Sequence, residues 1–244
     1  MYLADKYYLN GSIEAEFKGK SLRKVNQILF NMFYENKIKS GFFFKTKYKN
    51  SSDLRPDVLH YDESFIDLLF ESNIDELLFE CIGSDYLLSH IQIRKLDAGN
   101  TYLDWHRDSY NYGKKTGDFP PAHKIIFHPF FKGISEKAKL KVSRSSHLKI
   151  YNSKFSDFFN NIFPFSNKYE DQYFPSEKKF MLFNGSAFHK VCSDNKPSIC
   201  LIYSFLRKQQ IRNNDKRFTP LSLETSILFE KKILEKKNLN KNKV

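Results

Sequence analysis

In the stretch YLDWHRDSY, residues 102–110, His106 and Asp108 stand two positions apart. At an extended strand end that spacing turns both side chains to one face, so an imidazole and a carboxylate would be offered together. A third ligand is needed, with open positions left over, to make the two-histidine, one-carboxylate arrangement that suits non-haem Fe(II). Seven histidines in 244 residues make one chance H-x-D unsurprising. The pair by itself therefore leaves metal ligation and coincidence both open.

A third histidine, His189, ends the run KKFMLFNGSAFH and is followed by another strand-like run, SICLIYSFL. It could meet His106 and Asp108 only if the intervening strands carry the chain back across a barrel, which is the closure a double-stranded β-helix provides. The other histidines fit such a site less well. His60 precedes the strand-rich region, His90 opens it, His147 sits in a polar turn, and His123 and His128 flank a strand, where a structural role is expected.

The elements that would have to position these groups can be read from periodicity. In SLRKVNQILFNMFYENKI, Leu22, Val25, Ile28, Leu29 and Met32 follow one helical face, with Ser21 as the expected N-cap. DESFIDLLFESNIDELLFECIG reads as one or two short helices, broken at Ser72 and Asn73 and stopped by Gly83. Residues 20–85 are thus expected to be largely helical. Beyond them, LLSHIQIRKLDAG, HKIIFHPFF, KLKVSRSSH, KKFMLFNGSAFH and SICLIYSFL are short β-branched or aromatic runs punctuated by Gly, Pro, Asn and Asp, as strands are. The reading is an α+β chain: one domain over residues 1–206, with a β core at about 87–206 and N-terminal helices packed on it. A basic, partly helical extension with a frayed end follows over 207–244, with LETSILFEKKILEKK as its helix.

Composition bounds the class. Hydrophobic residues make up 41% and aromatics 16%, too many for a mainly disordered chain. The first twenty residues lack the basic start and apolar run of a signal peptide, and no apolar stretch approaches the roughly 20 residues of a membrane-spanning helix, so the cytoplasm is the expected compartment. Cys81, Cys192 and Cys200 are an odd number without C-x-x-C spacing, which argues for free thiols. The net charge of +12 is uneven: residues 207–244 hold 11 Lys and Arg against 4 Asp and Glu, a net of +7, which leaves +5 for the first 206. A solubilising tail is the plainest reading of that excess, and an anionic substrate or peripheral membrane contact is the alternative. A basic RNA- or membrane-associated protein with structural histidines is a rival from another class. No basic stripe interleaved with stacking aromatics stands in the core, so nucleic acid is not the expected partner.

Four blocks occur in an order that resembles the phytanoyl-CoA dioxygenase-like branch of the Fe(II)/2-oxoglutarate oxygenases, over roughly residues 87–206. QIRKLDAGNTYLDWHRD is similar to that family's strand, Gly turn and H-x-D, and KLKVSRSSHLK to its following turn segment. KKFMLFNGSAFHKV is similar to the strand carrying the distal histidine, and DNKPSICLIYSF to the strand after it. The resemblance implies a jelly-roll, cupin-like double-stranded β-helix, with His106, Asp108 and His189 as metal ligands and Fe(II), 2-oxoglutarate and O2 as cofactors. It also implies hydroxylation of an unactivated C–H bond, because related halogenases lack the carboxylate that Asp108 supplies.

One departure stands out. The family's arginine for the far carboxylate of 2-oxoglutarate, about ten residues beyond the distal histidine, is replaced by Ser198 and Cys200. Either the co-substrate is held differently or the site is degenerate, leaving a non-catalytic metal- or ligand-binding barrel. Lys124 is the first candidate replacement, because related branches use a lysine on a strand shortly after H-x-D. If its strand alternates, Lys124, Ile126 and His128 share a face, and Lys124 either points into the barrel or lies on an edge in solvent. Gln92 and Arg94 are further candidates to line the barrel, and Lys196 and Arg207 weaker ones. Tyr110, Tyr112, Lys114, Lys115, Arg144 and Lys149 would suit the mouth of a site for a small anionic, sugar-, nucleotide- or lipid-linked substrate, or would be ordinary surface.

Overall fold

The computed structural model describes residues 2–34, 43–45, 51–54, 58–96, 98, 105–108, 122–134, 136–148, 169–192, 195–207 and 220–241. Three helices open the fold with a strand among them: α1 (Leu3–Asn10), β1 (Ser12–Glu16), α2 (Ser21–Tyr34) and, after two short strands, α3 (Val58–Tyr61). The two strands are β2 (Phe43–Lys45) and β3 (Ser51–Leu54). Then come α4 (Ser64–Glu71) and α5 (Ile74–Ile82), followed by β4 (Tyr86–Leu96), β5 (His123–Phe127), β6 (Leu140–Ser143) and β7 (Glu170–Tyr173). β8 (Lys179–Asn184), β9 (His189–Val191), β10 (Ser198–Arg207) and α6 (Pro220–Lys241) complete it.

The helices arise where the apolar periodicity places them. Val25, Leu29 and Met32 of α2 are fully buried. Ser21 is the first helical residue, and its backbone N–H and hydroxyl both donate to the Glu71 carboxylate of α4, at 2.7 and 3.0 Å. An anion thus sits at the positive end of α2, which is where one stabilises a helix. Asn73 takes the left-handed conformation between α4 and α5, and Gly83, at φ 86°, ends α5 where an L side chain would be strained.

β structure begins earlier than residue 87. β1 pairs antiparallel with β8 and closes one edge of the large sheet, whose strand order is β1-β8-β5-β10-β4-β3-β2. The hairpin β2–β3 extends the other edge through β4, so the stretch 20–85 is interrupted by strands. The small sheet runs β7-β6-β9. All of these pairings are antiparallel.

The two faces of the large sheet pack against different things. Toward the helices, Ile91 and Ile93 of β4, Ile125 and Phe127 of β5, Phe180 and Leu182 of β8, and Ile199, Leu201, Tyr203 and Phe205 of β10 join a core with residues of α2, α4, α5 and α6. Toward the small sheet, Ile126, Met181, Phe183, Cys200 and Ile202 meet Leu140, Val142 and Tyr173. Two sheets facing each other across an apolar layer are the architecture of a jelly roll.

α6 lies on β4: Phe229 is buried in the helix-side core, and the Ser226 hydroxyl donates to Leu88 O at 2.6 Å. Lys236 reaches Asp75 at 2.9 Å. Residues within the basic segment 207–244 therefore pack into the main core. Among the described residues no helix is long and apolar enough to cross a membrane.

Candidate metal centre

His106 and Asp108 lie beside β9. The link is a reciprocal antiparallel bridge in which His106 N–H donates to His189 O and His189 N–H to His106 O, each at 2.9 Å. Asp108 N–H donates to Gly185 O at 2.9 Å in the turn between β8 and β9. Backbone pairing alone thus brings residues 106 and 189 side by side, and the three side chains converge. One ligand atom from each of His106, Asp108 and His189 can be chosen so that all lie within 4.8 Å of one another. His189 Nε2 is 3.4 Å from Asp108 Oδ2, and His106 Nε2 is 3.9 Å from Asp108 Oδ1.

The donor set fits a divalent transition metal. His189 is buried, and its Nδ1–H is in place to donate to Ala187 O at 2.9 Å, which leaves the Nε2 lone pair turned toward Asp108. Burial by itself would raise the Asp108 carboxyl, but the Lys124 ammonium, followed by His189, outweighs it and holds the group well below the usual carboxylate range. Ligation needs the ionised form, and that form is the one favoured here.

Lys124 resolves between its two readings. β5 lies between β8 and β10, so Lys124 is not on an edge, and its Nζ is 2.7 Å from Asp108 Oδ2. Gln92, Arg94 and Ser198 are buried on the same inward face by register: Gln92 stands opposite Ile202 and Arg94 opposite Cys200, with Ser198 two residues before Cys200. Lys196 is exposed. Arg144 is on the surface, paired with Asp171 at 2.7 Å. The side chains of His60 and Arg207, and Tyr110, Tyr112, Lys114, Lys115 and Lys149 altogether, lie outside the described residues. Of the remaining histidines, His123 Nδ1 is 2.6 Å from the Tyr7 hydroxyl, His147 Nε2 is 2.9 Å from Tyr8 O, and His90 Nδ1 is 3.2 Å from the Ser89 hydroxyl. They take structural contacts away from the triad.

Two residues that spacing did not single out hold the triad in place. Arg107, the middle residue of the H-x-D, points away from the ligands and is buried. Its guanidinium donates to Ser186 O and, at 3.0 Å, to Ser146 O, and stacks 4.1 Å over the Phe188 ring. Gly185 is required by close approach: a Cβ there would stand 2.7 Å from Ala122 O and 3.4 Å from Asp108 Cβ. The G-S turn before His189 was the available signal for the second. Nothing in the sequence marked the first. A cavity of about 710 Å³ between α5 and α6, lined by Asp75, Glu80, Tyr86 and Glu230, lies among the helices and contains none of these groups.

No family model and no curated protein matches the sequence. Solved structures do match the fold. The chain is similar to the non-heme alpha-ketoglutarate-dependent epimerase SnoN from nogalamycin biosynthesis, at TM-score 0.61 and 12% identity, over 84% of this chain and 82% of that one. It is also similar to HygX from Streptomyces hygroscopicus with nickel and 2-oxoglutarate bound, at 0.61 and 9%, over 85% and 88%. EctD from S. alaskensis with bound Fe matches at 0.58 and 10%, over 84% and 75%. Against EvdMO1 the chain spans about half the length, 49%. At such identities the likeness speaks to architecture: the chain has the jelly-roll fold of non-haem iron, 2-oxoglutarate-dependent enzymes.

Proposed function

We propose that the protein is an Fe(II)- and 2-oxoglutarate-dependent dioxygenase, of the phytanoyl-CoA dioxygenase-like branch, that hydroxylates an unactivated C–H bond of a small anionic metabolite or a sugar- or lipid-linked compound. The observation that carries this reading is the convergence of His106, Asp108 and His189, with their ligand atoms within 4.8 Å of one another, beside β9 of the small sheet. Iron bound there, with 2-oxoglutarate and O2, would supply the oxidising power needed for a C–H bond.

The chain's own residues would do the positioning. The Ala187 carbonyl fixes the His189 tautomer. Lys124 keeps Asp108 ionised. Arg107 and Gly185 hold the two strand ends together, and the inward faces of β4 and β10 present Gln92, Arg94 and Ser198 to the co-substrate. A small-molecule substrate accords with SnoN, solved with Fe3+, alpha ketoglutarate and nogalamycin RO, and with HygX, solved with nickel, 2-oxoglutarate and hygromycin B. Next in sequence to His189 and His106, Lys190 Nζ stands 5.7 Å from the Trp105 ring centroid, a cation and an aromatic surface suited to an anionic or sugar-like ligand. Three free cysteines accord with a cytoplasmic enzyme.

The test is an anaerobic titration of the Fe(II)-loaded protein with 2-oxoglutarate, watching for the visible metal-to-ligand charge-transfer band. The expected result is a band in the wild type that Asp108→Ala disrupts. Bound iron without a band would favour the non-catalytic barrel instead.

A further inference from the structure

The two segments that carry the triad are joined by backbone pairing and, from behind, through Ser146. Side chains alternate along each segment, so Arg107, between His106 and Asp108, and Phe188, next to His189, turn to the back of the ligands. There the Arg107 guanidinium stacks 4.1 Å over the Phe188 ring. Ser146 is 2% exposed and bonds to both residues. Its carbonyl accepts from Arg107 at 3.0 Å, and its hydroxyl oxygen accepts the Phe188 N–H at 2.8 Å. The same hydroxyl donates to Ser143 O at 2.7 Å, and Ser143 N–H donates to Phe188 O at 2.8 Å.

Ser146 is in turn held from α1, an element outside the two sheets. A helix leaves the carbonyls of its last turn without intrahelical partners, and α1 has no basic side chain in its last turn to meet them. The residues flanking Ser146 meet them instead. His147 Nε2 stands 2.9 Å from Tyr8 O, in place to donate; the Ser145 hydroxyl donates to Leu9 O at 2.7 Å; and Ser145 N–H donates to Asn10 O at 2.9 Å. Ser145 takes φ 59°, a left-handed conformation that a residue other than glycine keeps where its surroundings fix it, and its two bonds to α1 do so. Gly11 completes the contact: a Cβ there would run into the His147 ring. Its carbonyl accepts Asn184 N–H at 2.9 Å, one residue before the Gly185 carbonyl that receives Asp108 N–H. From the same helix the Tyr7 hydroxyl stands 2.6 Å from His123 Nδ1, and the next residue, Lys124, holds Asp108.

Hydrogen bonds therefore run from α1 through residues 145–147 to the neighbours of all three ligands. The 106–189 bridge fixes the spacing of the two segments, and bonds from behind fix the angle at which their side chains converge. Ligands have to be held within about 0.5 Å and 10–20° of the binding geometry, and groups that do not touch the metal supply that precision.

We propose that Ser146 is a positioning residue for the triad and that α1 anchors it, so that docking of α1 and metal affinity are linked. This rests on the metal reading above, and the test separates the two. Full-length protein is titrated with Co(II), a stand-in for Fe(II) whose visible absorption reports both affinity and coordination geometry. Ser146→Ala should weaken Co(II) roughly 10- to 100-fold, the range for an outer-shell partner of a ligand, and shift the absorption. The paired change Ser145→Ala with His147→Ala leaves Ser146, Arg107 and the ligands in place and releases the end of α1. It should weaken Co(II) roughly 5- to 10-fold, the low end of coupling between linked sites. By reciprocity, Co(II) should slow hydrogen exchange across α1 in the wild type and not in the paired variant. Leu29→Ala, in the fully buried face of α2, lowers stability without entering these bonds and should leave Co(II) affinity of the folded protein within about 2-fold.

Unchanged affinity and absorption in Ser146→Ala overturns the positioning role, and so does a loss that Leu29→Ala matches. Should Ser146→Ala not fold, the paired change carries the test: unaltered Co(II) affinity there, or exchange across α1 indifferent to Co(II), overturns the link. A wild type that binds no Co(II) removes the metal reading and the positioning role with it.

Discussion

The two faces of the large sheet are made by the same strands and serve opposite ends. Along β10, Ile199, Leu201, Tyr203 and Phe205 turn to the helices, while Ser198, Cys200, Ile202 and Ser204 turn to the small sheet. On β4 the same alternation separates Ile91 and Ile93 from Gln92 and Arg94, and on β5 it separates Ile125 and Phe127 from Lys124 and Ile126. The helix face is apolar, whereas the inner face carries the buried polar side chains of Gln92, Arg94, Ser198 and Ser204. The apolar face holds the fold, so the inner face can carry polar groups that are costly to bury.

If that division holds, the largest stability effect comes from the helix face. Phe205 is fully buried against Tyr86 and Phe229, with ring centroids 6.1 Å away in each case. Phe205→Ala should cost about 3–5 kcal/mol by urea unfolding, the usual range for a buried aromatic. Ser198→Ala, on the inner face, should cost less than about 1 kcal/mol. Comparable losses at the two positions would break the comparison.

The inward face was partly legible in the sequence because its chemistry is carried by unusual residue types at fixed spacing. His106, Asp108 and His189 could be paired from the H-x-D and from a histidine after a Gly turn, and β4, β5, β6, β8 and β10 begin within a residue of the β-branched or aromatic runs punctuated by Gly, Pro, Asn and Asp. β1 was not legible. Ser-Ile-Glu-Ala-Glu has one strongly apolar residue, and its pairing with β8 joins residues such as Ser12 and Phe183 that no local pattern connects. β7, Glu-Asp-Gln-Tyr, is a polar edge strand for the same reason. The burial of Lys139 was not legible either: it is one lysine among many in a basic chain, yet it is 1% exposed, whereas Lys141 pairs with Glu170 at 2.6 Å nearer the surface. The core role of Phe229 was obscured by the charges around it, because a helix with lysines on most sides reads as solvated until its one buried stripe is seen against β4.

A smaller effect should appear where the two faces meet the triad. Gly185 N–H donates to Ala122 O at 2.7 Å, and Gly185 O accepts Asp108 N–H, so this turn couples β5, β8 and the H-x-D. A methyl group added there would press on Ala122 O and on Asp108. Gly185→Ala is expected to cost about 1–3 kcal/mol in unfolding free energy and to weaken Fe(II) binding roughly 10-fold by shifting a ligand. The combined loss, measured by melts and by metal titration on one preparation, would distinguish a coupling turn from a merely tight one. Unchanged iron affinity would show that the ligand is positioned by Arg107 and the 106–189 bridge alone.

The most graded prediction concerns pH and the deep inner face. His128 titrates near 6.5 when unfolded and near 3 in the fold, because burial and the Lys139 charge disfavour the imidazolium. The folded pKa lies below the unfolded one, so between those values the unfolded chain binds the extra proton and folding weakens as pH falls. The contribution is fully present above about pH 6.5 and is lost toward pH 3, with a limiting slope of about 1.4 kcal/mol per pH unit for one proton. His128→Leu removes this group's slope while leaving the acid sensitivity of the carboxylates. Urea unfolding of wild type and variant at pH 7 and pH 5 should therefore show the wild type losing about 2 kcal/mol more than His128→Leu on acidification. Parallel losses in the two proteins would mean that the imidazole takes up its proton in the fold as readily as in the unfolded chain, with the Lys139 charge beside it.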